Sequence, residues 1–362
     1  MGSDRRVRVL AASTPERSTT WAIRWVTMGG TMQWPASPWT VERRGRVRFA
    51  LQVFPVDTPA DPGRQLLAAA RMAEALDFDA FFVGDHPAWQ LDPWVHLGAI
   101  AVTTERIRLG VHVACALYRH PVMTARLAAD IDNLSGGRLV LGLGIGWDEN
   151  EFANLGLPFP SLARRHEALD EAIAILRGVW GGEPFTFTGR HFRTTGALVS
   201  PPPLQRPGPP LLIAGTGERR TLRQVAELGD ACGLFQIDLA SGDMLSDDDI
   251  RHKLTVLRRH CEALGRPYDS VLRTYGTGWT ILAGDEERLA EKLRRYFPNG
   301  MAERYTGTWR NWVFAATPER ATAHFRALAE AGIQYFVVET LDAADEETIQ
   351  LLATDVVPRV AR

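Results

Sequence analysis

Short apolar runs alternate with segments of helical periodicity along the chain from residue 47 onward. In segment 64–76 apolar residues recur every three or four positions, which is the spacing of one helix face. The run AFFVG at 80–84 is apolar throughout, as is typical of a parallel strand that is buried on both faces. The pattern predicts eight strands, at 47–54, 80–84, 107–113, 138–143, 210–214, 231–235, 271–282 and 334–339. Helices are predicted between them at 64–76, 93–102, 122–134, 162–179, 219–228, 248–264 and 318–331.

Eight buried strands that alternate with helices predict an α/β fold of the (β/α)8 TIM-barrel type over residues 47–362. A doubly wound parallel sheet is the alternative, because it has the same alternation of elements. Two segments exceed a minimal barrel and are predicted to be loop insertions: 183–200, which resembles a hairpin, and the aromatic-rich 296–312. Because barrel enzymes build their sites from loops, we expect both insertions to shape a substrate pocket.

The composition is that of a soluble globular protein with enough apolar residues for a large core. The 362 residues are 45% hydrophobic and carry a formal net charge of -2. Without a basic surplus the chain is not expected to bind nucleic acid, and no apolar run approaches the roughly 18 residues of a membrane span. Cys115, Cys232 and Cys261 have neither disulfide nor metal-ligand spacing. We therefore expect a cytoplasmic protein without a metal site.

The charge is unevenly distributed, and this divides the chain at residue 46. Residues 1–46 carry eight arginines against three acidic residues, so the remainder is acidic. This first segment lacks helical or strand periodicity and is predicted to be a disordered extension or the product of an upstream start codon. Arg5-Arg6 suggests a twin-arginine export signal as an alternative, but the apolar stretch that follows is too short. Residues 47–362 are predicted to form the barrel domain.

Polar side chains follow several predicted strands, where barrel enzymes place their reacting groups. The second strand is followed by Asp85 and His86, a carboxylate beside an imidazole that can orient a ligand and move a proton. A loop pair with a purely structural role would have the same residues. His112 lies near the end of the third strand. An imidazole among apolar residues is either a hydrogen-bonded core group or part of the same site as His86.

Glycines mark the ends of the fourth and fifth strands. At 142–146 they occupy every second position, so one strand face is bare and a flat ligand or another backbone can approach. Close packing of a helix is the structural alternative. At 215–217 the turn Gly-Thr-Gly leads into a predicted helix and is followed by Arg219 and Arg220. Free N–H groups and nearby arginines favour a phosphate site there, with ordinary turn glycines as the alternative.

In this order, the strand-end segments resemble the bacterial luciferase-like family of barrel oxidoreductases, in particular its branch that uses the deazaflavin coenzyme F420. The resemblance extends from about residue 47 to residue 358. It is carried by the segments FDAFFVGDH at 78–86, RIRLGVH at 106–112, SGGRLVLGLGIGW at 135–147, GLPFP at 156–160 and PPLLIAG at 209–215.

The resemblance implies roles for several of these residues. Asp85 matches a position that contacts the deazaflavin, and His86 matches the proton-transferring residue of the sugar-phosphate dehydrogenases in this branch. The bond between His112 and Val113 falls where relatives carry a non-prolyl cis peptide behind the central ring of the cofactor. The other cofactor-binding positions that the resemblance implies are Cys115, Ile145, Gly146, Asn150, Gly215, Thr216, Glu218 and Arg219.

The sequence departs from the sugar-phosphate dehydrogenases in two respects. Trp147 stands where those enzymes carry a catalytic glutamate, and tryptophan cannot accept a proton. The lysines expected for a sugar phosphate are nearly absent, since Lys253 and Lys292 are the two lysines of the chain. We therefore expect a less polar small-molecule substrate in a pocket that includes Trp89 and Trp147.

The leading hypothesis from the sequence is an oxidoreductase that transfers a hydride between coenzyme F420 and a small organic substrate, with His86 as the catalytic residue. An FMN-dependent monooxygenase of the same family, using reduced flavin and oxygen, is the alternative within this fold. A non-catalytic flavin-binding barrel and a non-redox barrel isomerase are alternatives of other classes. Family members often form homodimers, and the resemblance implies the same here.

Overall fold

Eight parallel strands close into a barrel in this computed structural model, which describes residues 37–41, 45–53, 61–238, 241–300 and 311–360. The strands within these ranges are β1 Arg48–Val53, β2 Ala80–Val83, β3 Arg108–Cys115, β4 Leu139–Gly144, β5 Phe185–Thr188, β6 Arg193–Ala197, β7 Leu211–Ala214, β8 Ala231–Phe235, β9 Leu272–Leu282, β10 Val313–Ala316 and β11 Tyr335–Thr340. Around the barrel the order is β1-β2-β3-β4-β7-β8-β9-β11, and β11 pairs with β1 to close the ring. The TIM-barrel prediction is confirmed, and the doubly wound sheet, which has open edges, is excluded.

Most of the described helices connect barrel strands and cover their outer faces. They span Pro38–Val41, Pro62–Ala75, Pro93–Thr103, Pro121–Leu134, Glu149–Asn154, Leu162–Val179, Thr221–Leu228, Asp247–Ala263, Glu286–Tyr296, Pro318–Ala331, Glu346–Leu351 and Val357–Val360, with a 3-10 turn at Tyr268–Ser270 and a π-helical segment at Leu352–Val356. Several begin with a capping side chain followed by proline, as at Asp61 and Asp92. No helix in the described part of the chain is both long and apolar enough to cross a membrane.

Alternate residues of each barrel strand face opposite sides, and this divides the apolar side chains into two layers. Phe49, Leu51 and Val53 of β1 point outward and pack with the helices, whereas Ala50 points into the barrel. All six residues of β1 are therefore buried, and so are all four of β2. Burial on both faces is the reason that these strands read as continuous apolar runs in the sequence.

β10 is a ninth parallel strand that the apolar pattern does not predict. It pairs with the second half of β9, beyond the end of β8, so that Val313 lies opposite Trp279 and Ala316 opposite Leu282. β9 has 11 residues and extends past the end of β8. Its peptide groups beyond that point are buried and need a different hydrogen-bonding partner, which β10 provides. The four residues VFAA are too few for periodicity to distinguish a strand from a loop. Residues 301–310 of the second predicted insertion lie outside the described part of the chain.

The predicted hairpin at 183–200 is present, with β5 and β6 paired antiparallel. It packs along the helix Leu162–Val179, where the Glu171 carboxylate accepts hydrogen bonds from the backbone N–H groups of Arg190, His191 and Phe192. The hairpin follows a helix and precedes a strand, so it leaves the barrel at the amino-terminal end, opposite the end where barrel sites are built. Its tip also reaches the connection after β3, where the ring of Phe192 lies 5.7 Å from that of His120. The expectation that the hairpin shapes the pocket stays a prediction.

Trp39 closes the amino-terminal end of the barrel. Its side chain is fully buried against the ring of Tyr335, with 5.4 Å between ring centroids, and its carbonyl accepts a 2.8 Å hydrogen bond from Arg48. Arg48 also lies 3.4 Å from Asp79, and the Tyr335 hydroxyl donates to the same carboxylate. The predicted division of the chain at residue 46 stays a prediction, because residues 1–36 and 42–44 lie outside the described part.

Replacing Trp39 with alanine is expected to lower the free energy of unfolding by about 3–5 kcal/mol, the usual cost of truncating a buried aromatic side chain. Urea denaturation of the full chain measures this change. The control is Val102→Ala in the helix Pro93–Thr103, where the side chain is 65% exposed; its effect should stay within about 0.5 kcal/mol. Equal stabilities for the two variants would contradict the burial of Trp39.

Candidate active site

The carboxyl ends of β2, β3 and β4 bring five of the predicted site residues together. Asp85 and His86 follow β2, Cys115 ends β3, and Gly146 and Trp147 follow β4. The Cys115 N–H donates a 3.1 Å hydrogen bond to Asp85, and the rings of His86 and Trp147 lie 6.2 Å apart. Neighbouring parallel strands end on the same side, so residues that are distant in sequence meet there. This end of the barrel is called the barrel mouth below.

Asp85 is a buried carboxylate that is held by an arginine. Both of its oxygens accept 2.8 Å hydrogen bonds from Nη1 of Arg119, whose Nη2 donates to Asp92 at 2.8 Å. Burial raises the pKa of Asp85, although Arg119 and the Cys115 N–H act in the opposite direction. These bonds tie the loop after β2 to the loop after β3. The contact of Asp85 with a cofactor stays a prediction.

His86 is held by a second buried carboxylate, Glu151, in the first turn of the helix Glu149–Asn154. Oε2 of Glu151 lies 2.8 Å from Nδ1 of His86 and accepts a 2.7 Å hydrogen bond from the Tyr118 hydroxyl. The Glu151 side chain has no exposed surface, whereas that of His86 is 18% exposed. Because Nδ1 faces the carboxylate, Nε2 is directed away from it. Glu151 thus fixes the orientation of the imidazole.

Two tryptophans flank His86. Trp89 stacks on the imidazole with 4.4 Å between centroids and 28° between the ring planes, and Trp147 meets it edge-on. Trp89 is 42% exposed and therefore lies at the rim of the barrel mouth. Aromatic faces beside a polar group suit flat or apolar ligands. The two residues are adjacent to His86 as expected, and their contact with a substrate stays a prediction.

The alternating glycines of β4 make room for Val113 of β3. A Cβ at Gly142 would lie 2.8 Å from one Val113 methyl and 2.3 Å from the Val111 carbonyl, and a Cβ at Gly144 would lie 2.8 Å from the other methyl. The β3–β4 register shifts at this point, and the His112–Val113 peptide is cis, as the resemblance implies. The bare face of β4 therefore receives the neighbouring strand, and not a packed helix.

The remaining predicted positions on this side have different surroundings. Gly146 has φ of +72°, and a Cβ there would lie 2.8 Å from Sγ of Cys115 and 2.7 Å from the ring of Phe152, so that only glycine fits. Burial raises the pKa of the Cys115 thiol to about 12, which keeps it neutral at neutral pH. Ile145 is half-buried and Asn150 is exposed. Their roles in cofactor binding stay predictions.

His112 turns into the barrel interior. Its Nδ1 lies 2.7 Å from Oε1 of Gln52, and its ring packs between Phe82 and Phe235 at centroid distances of 5.6 and 5.4 Å. Its Nε2 is buried without a hydrogen-bond partner among the described residues. Burial lowers the pKa of His112 to about 4, so the ring is neutral at neutral pH. The side chain is therefore a hydrogen-bonded core group, and the predicted cofactor contact of this residue is untested.

The predicted phosphate turn follows β7, and residues 215–219 are called the β7 turn below. The next helix begins at Thr221, two residues later than predicted, which leaves Arg219 and Arg220 exposed ahead of it. Among the described residues, no acceptor is found for the backbone N–H groups of Thr216, Gly217 and Glu218. Unpaired N–H groups in a tight turn can receive an anion, so the geometry is compatible with phosphate binding.

A buried glutamate that was not predicted, Glu339, lies on the far side of the barrel. It is opposite Gln52 of β1 and Trp279 of β9, and it accepts a 3.2 Å hydrogen bond from the indole of Trp312. Burial raises the pKa of Glu339 to about 8. An acidic residue at the end of an apolar strand is the signal in the sequence that could have identified it.

Sequence reasoning also missed the residues that hold the barrel mouth together. Glu151 directly follows Asn150, one of the predicted cofactor-binding positions, and Tyr118 and Arg119 lie in the loop after Cys115. They belong to loops and a short helix, so a rule that selects strand ends does not reach them. The signal available in the sequence was the pair Glu151-Phe152, an acidic residue beside a large apolar one. In the structure both side chains are buried.

Residues 47–349 match a family model described as luciferase-like monooxygenase. One curated relative, the F420-dependent glucose-6-phosphate dehydrogenase of Beutenbergia cavernae, is 37% identical over 181 residues. This match covers 46% of the chain and 51% of that protein, so the chain spans about half the length of this relative.

Solved structures show the same fold. The coenzyme F420-dependent tetrahydromethanopterin reductase of Methanopyrus kandleri superposes with a TM-score of 0.72 at 20% identity, covering 87% of this chain and 99% of that one. A monooxygenase from Streptomyces bottropensis superposes with a TM-score of 0.71 at 21% identity, covering 86% and 99%. Both support the TIM-barrel fold.

Replacing His112 with asparagine is expected to weaken the pH dependence of stability below pH 6.5. His112 binds a proton at 6.5 in the unfolded chain but only near 4 in the folded protein, so stability falls as the pH drops through this window. One such group contributes a slope of up to about 1.4 kcal/mol per pH unit. Urea denaturation between pH 5 and 8 measures the slope. Identical slopes for the wild type and His112→Asn below pH 6.5 would contradict a neutral, buried imidazole. Above pH 7 the slopes of the two proteins should coincide.

Proposed function

The chain belongs to the luciferase-like monooxygenase family, and from this we propose that it is an F420-dependent oxidoreductase acting on a small organic substrate. The observation that carries the proposal is the position of His86 at the barrel mouth, where Glu151 orients it and Trp89 and Trp147 flank it. One oriented proton-transferring group beside an apolar surface is what the interconversion of an alcohol and a carbonyl requires of the protein.

The choice of F420 is supported by the relative from Beutenbergia cavernae, which is named as an F420-dependent dehydrogenase. The residues present also fit such a group. The unpaired N–H groups of the β7 turn suit its phosphate, and the loops after β2 to β4, with Asp85, Gly146 and the Val113 bulge, would hold its ring system. When bound, F420 would supply hydride transfer at its central ring.

The chain itself supplies the proton transfer and the surroundings of the reaction. His86 would give or take a proton at Nε2, because its Nδ1 faces Glu151. The Tyr118 hydroxyl donates to the same carboxylate oxygen and keeps it in place when the imidazole changes its charge. Trp89 and Trp147 would exclude water from one side of the pocket.

The substrate is proposed to be less polar than a sugar phosphate. Trp147 provides an indole where a sugar-phosphate dehydrogenase has its glutamate, and the two lysines of the chain are engaged elsewhere. Lys292 lies 2.6 Å from Asp345, and Lys253 donates to the β7 turn. A ketone or secondary alcohol with an apolar substituent fits a pocket with these walls.

Titration of the purified protein with oxidised F420 and with FMN tests the choice of cofactor. We expect the deazaflavin to bind with a micromolar or lower dissociation constant and FMN to bind at least about tenfold more weakly, measured by fluorescence. Binding of FMN alone would replace the proposal with the FMN-dependent monooxygenase. Binding of both without turnover of any ketone or alcohol would favour the non-catalytic flavin-binding barrel.

Substitutions at the barrel mouth test the proposed roles of His86 and Glu151. His86→Asn should reduce the rate of F420 reduction or oxidation about 10²- to 10⁴-fold without loss of cofactor binding, because a positioned proton-transferring group contributes that much. Glu151→Gln should lower kcat more than it raises KM, because it disturbs the orientation of His86. The matched control is Glu149→Gln, an exposed residue of the same helical turn, which should retain full activity. Full activity of His86→Asn would remove this residue from the mechanism.

A further inference from the structure

Gln90 is a polar residue beside His86 that the proposed mechanism does not use. Its backbone N–H closes a turn on His86, whose carbonyl accepts hydrogen bonds from the N–H groups of Trp89 at 3.1 Å and Gln90 at 2.7 Å. The Ala88 N–H in this turn donates a 3.5 Å hydrogen bond to Oε1 of Glu151, the carboxylate that also orients the imidazole. The backbone of Gln90 is therefore fixed relative to His86.

The carboxamide of Gln90 lies over the bare backbone of Gly84. Ala80 and Phe82 of β2 face the barrel interior, and Gly84 comes next in this alternation. A Cβ at Gly84 would lie 2.8 Å from Oε1 of Gln90 and 3.5 Å from Cδ2 of His86. Cδ2 is bonded to Nε2, the imidazole atom that is proposed to give or take the proton. The amide and the reactive edge of the imidazole thus meet above one glycine at the barrel mouth.

The amide of Gln90 is not satisfied within the protein. Its Nε2 is buried without a hydrogen-bond partner among the described residues. Enclosing an N–H group without an acceptor costs free energy, and a leucine would fill the same space without that cost. A half-turn about the Cγ–Cδ bond exchanges Nε2 with Oε1 and brings the N–H groups over Gly84, beside His86. An acceptor that binds there would satisfy the amide.

We propose that Gln90 is a second catalytic residue, whose carboxamide donates a hydrogen bond to the substrate oxygen that exchanges its proton with His86. This inference deepens the proposed function and rests on it. In ketone reduction the carbonyl carbon receives a hydride from reduced F420, and its oxygen takes a proton from Nε2 of His86. The ketone is thereby reduced to the alcohol, and the cofactor is oxidised. The N–H group of Gln90 stabilises the negative charge that builds on the oxygen before the proton arrives, and the amide itself keeps all its protons.

A glutamine that only fills space predicts the opposite effect on stability. If the amide supports the fold, its replacement by an apolar side chain lowers the free energy of unfolding. If the amide serves the substrate, the free protein carries an unsatisfied polar group, and its removal leaves stability unchanged or raises it. Stability and activity measured on the same variant therefore distinguish the two roles.

The experiment compares full-length variants at the two contacting positions. The proteins are the wild type, Gln90→Leu, Gly84→Ala, the double variant and the control Gln350→Leu, which changes an exposed glutamine. In Gly84→Ala the added Cβ would meet Oε1 at the end of a flexible side chain and displace the amide. The probes are cyclohexanone and acetophenone with reduced F420, and their alcohols with oxidised F420. Steady-state rates give kcat and KM, fluorescence titration gives the affinity for F420, and urea denaturation gives the stability of the free protein.

Gln90→Leu should lower kcat/KM at least about tenfold, because a donor aimed at developing negative charge contributes up to about 10³-fold. Its affinity for F420 should be unchanged, and its urea midpoint should be unchanged or higher. Gly84→Ala should also lower kcat/KM, and the double variant should be no slower than Gln90→Leu, because both substitutions act through one amide. Gln350→Leu should match the wild type.

A kcat/KM of Gln90→Leu equal to that of the wild type would overturn the inference while the proposed function stands. A loss of activity together with a lower urea midpoint would do the same, since it indicates a structural amide. Additive losses in the double variant would also overturn it. If the wild type binds F420 but turns over none of the probes, the proposed substrate class fails and the inference fails with it. If the wild type does not bind F420, the proposed function itself is overturned.

Discussion

The buried carboxylate of Glu151 is the contact on which the rest of the barrel mouth depends. It receives His86 from the loop after β2 and Tyr118 from the loop after β3, while it is itself carried by the helix after β4. Burying a carboxylate without exposed surface costs free energy unless hydrogen-bond donors surround it. The hydrogen bonds to Glu151 therefore hold these three segments in one arrangement. A second buried carboxylate, Asp85, joins the first two loops again through Arg119. The orientation of the His86 imidazole thus follows from the need of the buried Glu151 carboxylate for hydrogen-bond donors.

Backbone packing beneath the mouth follows a different rule. Val113 projects from the bulge of β3 into the space that Gly142 and Gly144 leave on β4, and any larger residue at these glycines would meet the Val111 carbonyl or the Val113 methyl groups. The strands can therefore come close only because one of them lacks side chains on the shared face. The same bulge sends His112 into the barrel interior, where Gln52 satisfies one of its nitrogens and burial keeps it neutral. His112 therefore lies in the barrel interior, whereas His86, which follows the neighbouring strand, lies at the barrel mouth.

Charge on this acidic barrel is arranged locally, and not by its overall balance. Arg119 forms an ion pair with Asp85, and Lys292 forms one with Asp345. Each of these cations therefore neutralises a carboxylate of the protein itself. At the β7 turn, Lys253, Arg219, Glu218 and Asp238 lie near N–H groups for which no acceptor is found among the described residues. N–H groups of this kind can bind an anion by directed hydrogen bonds, whatever the net charge of the whole barrel.

The sequence by itself determined the eight barrel strands, seven of the described helices, and the strand ends at which Asp85, His86, Cys115, Gly146 and Trp147 converge. It did not indicate the helix Glu286–Tyr296 or the short helix Glu149–Asn154. Periodicity is sufficient for this, because it reports which faces are buried and where each strand stops. The tertiary structure alone decided which charged groups pair. Glu151, Tyr118, Arg119 and Lys253 reach the site from helices and loops whose direction depends on barrel closure, and a pairing distance of 3 Å has no counterpart in the spacing of residues along the chain. It also decided that β9 extends past β8 and recruits β10, since the need for a strand partner arises only after the barrel has closed.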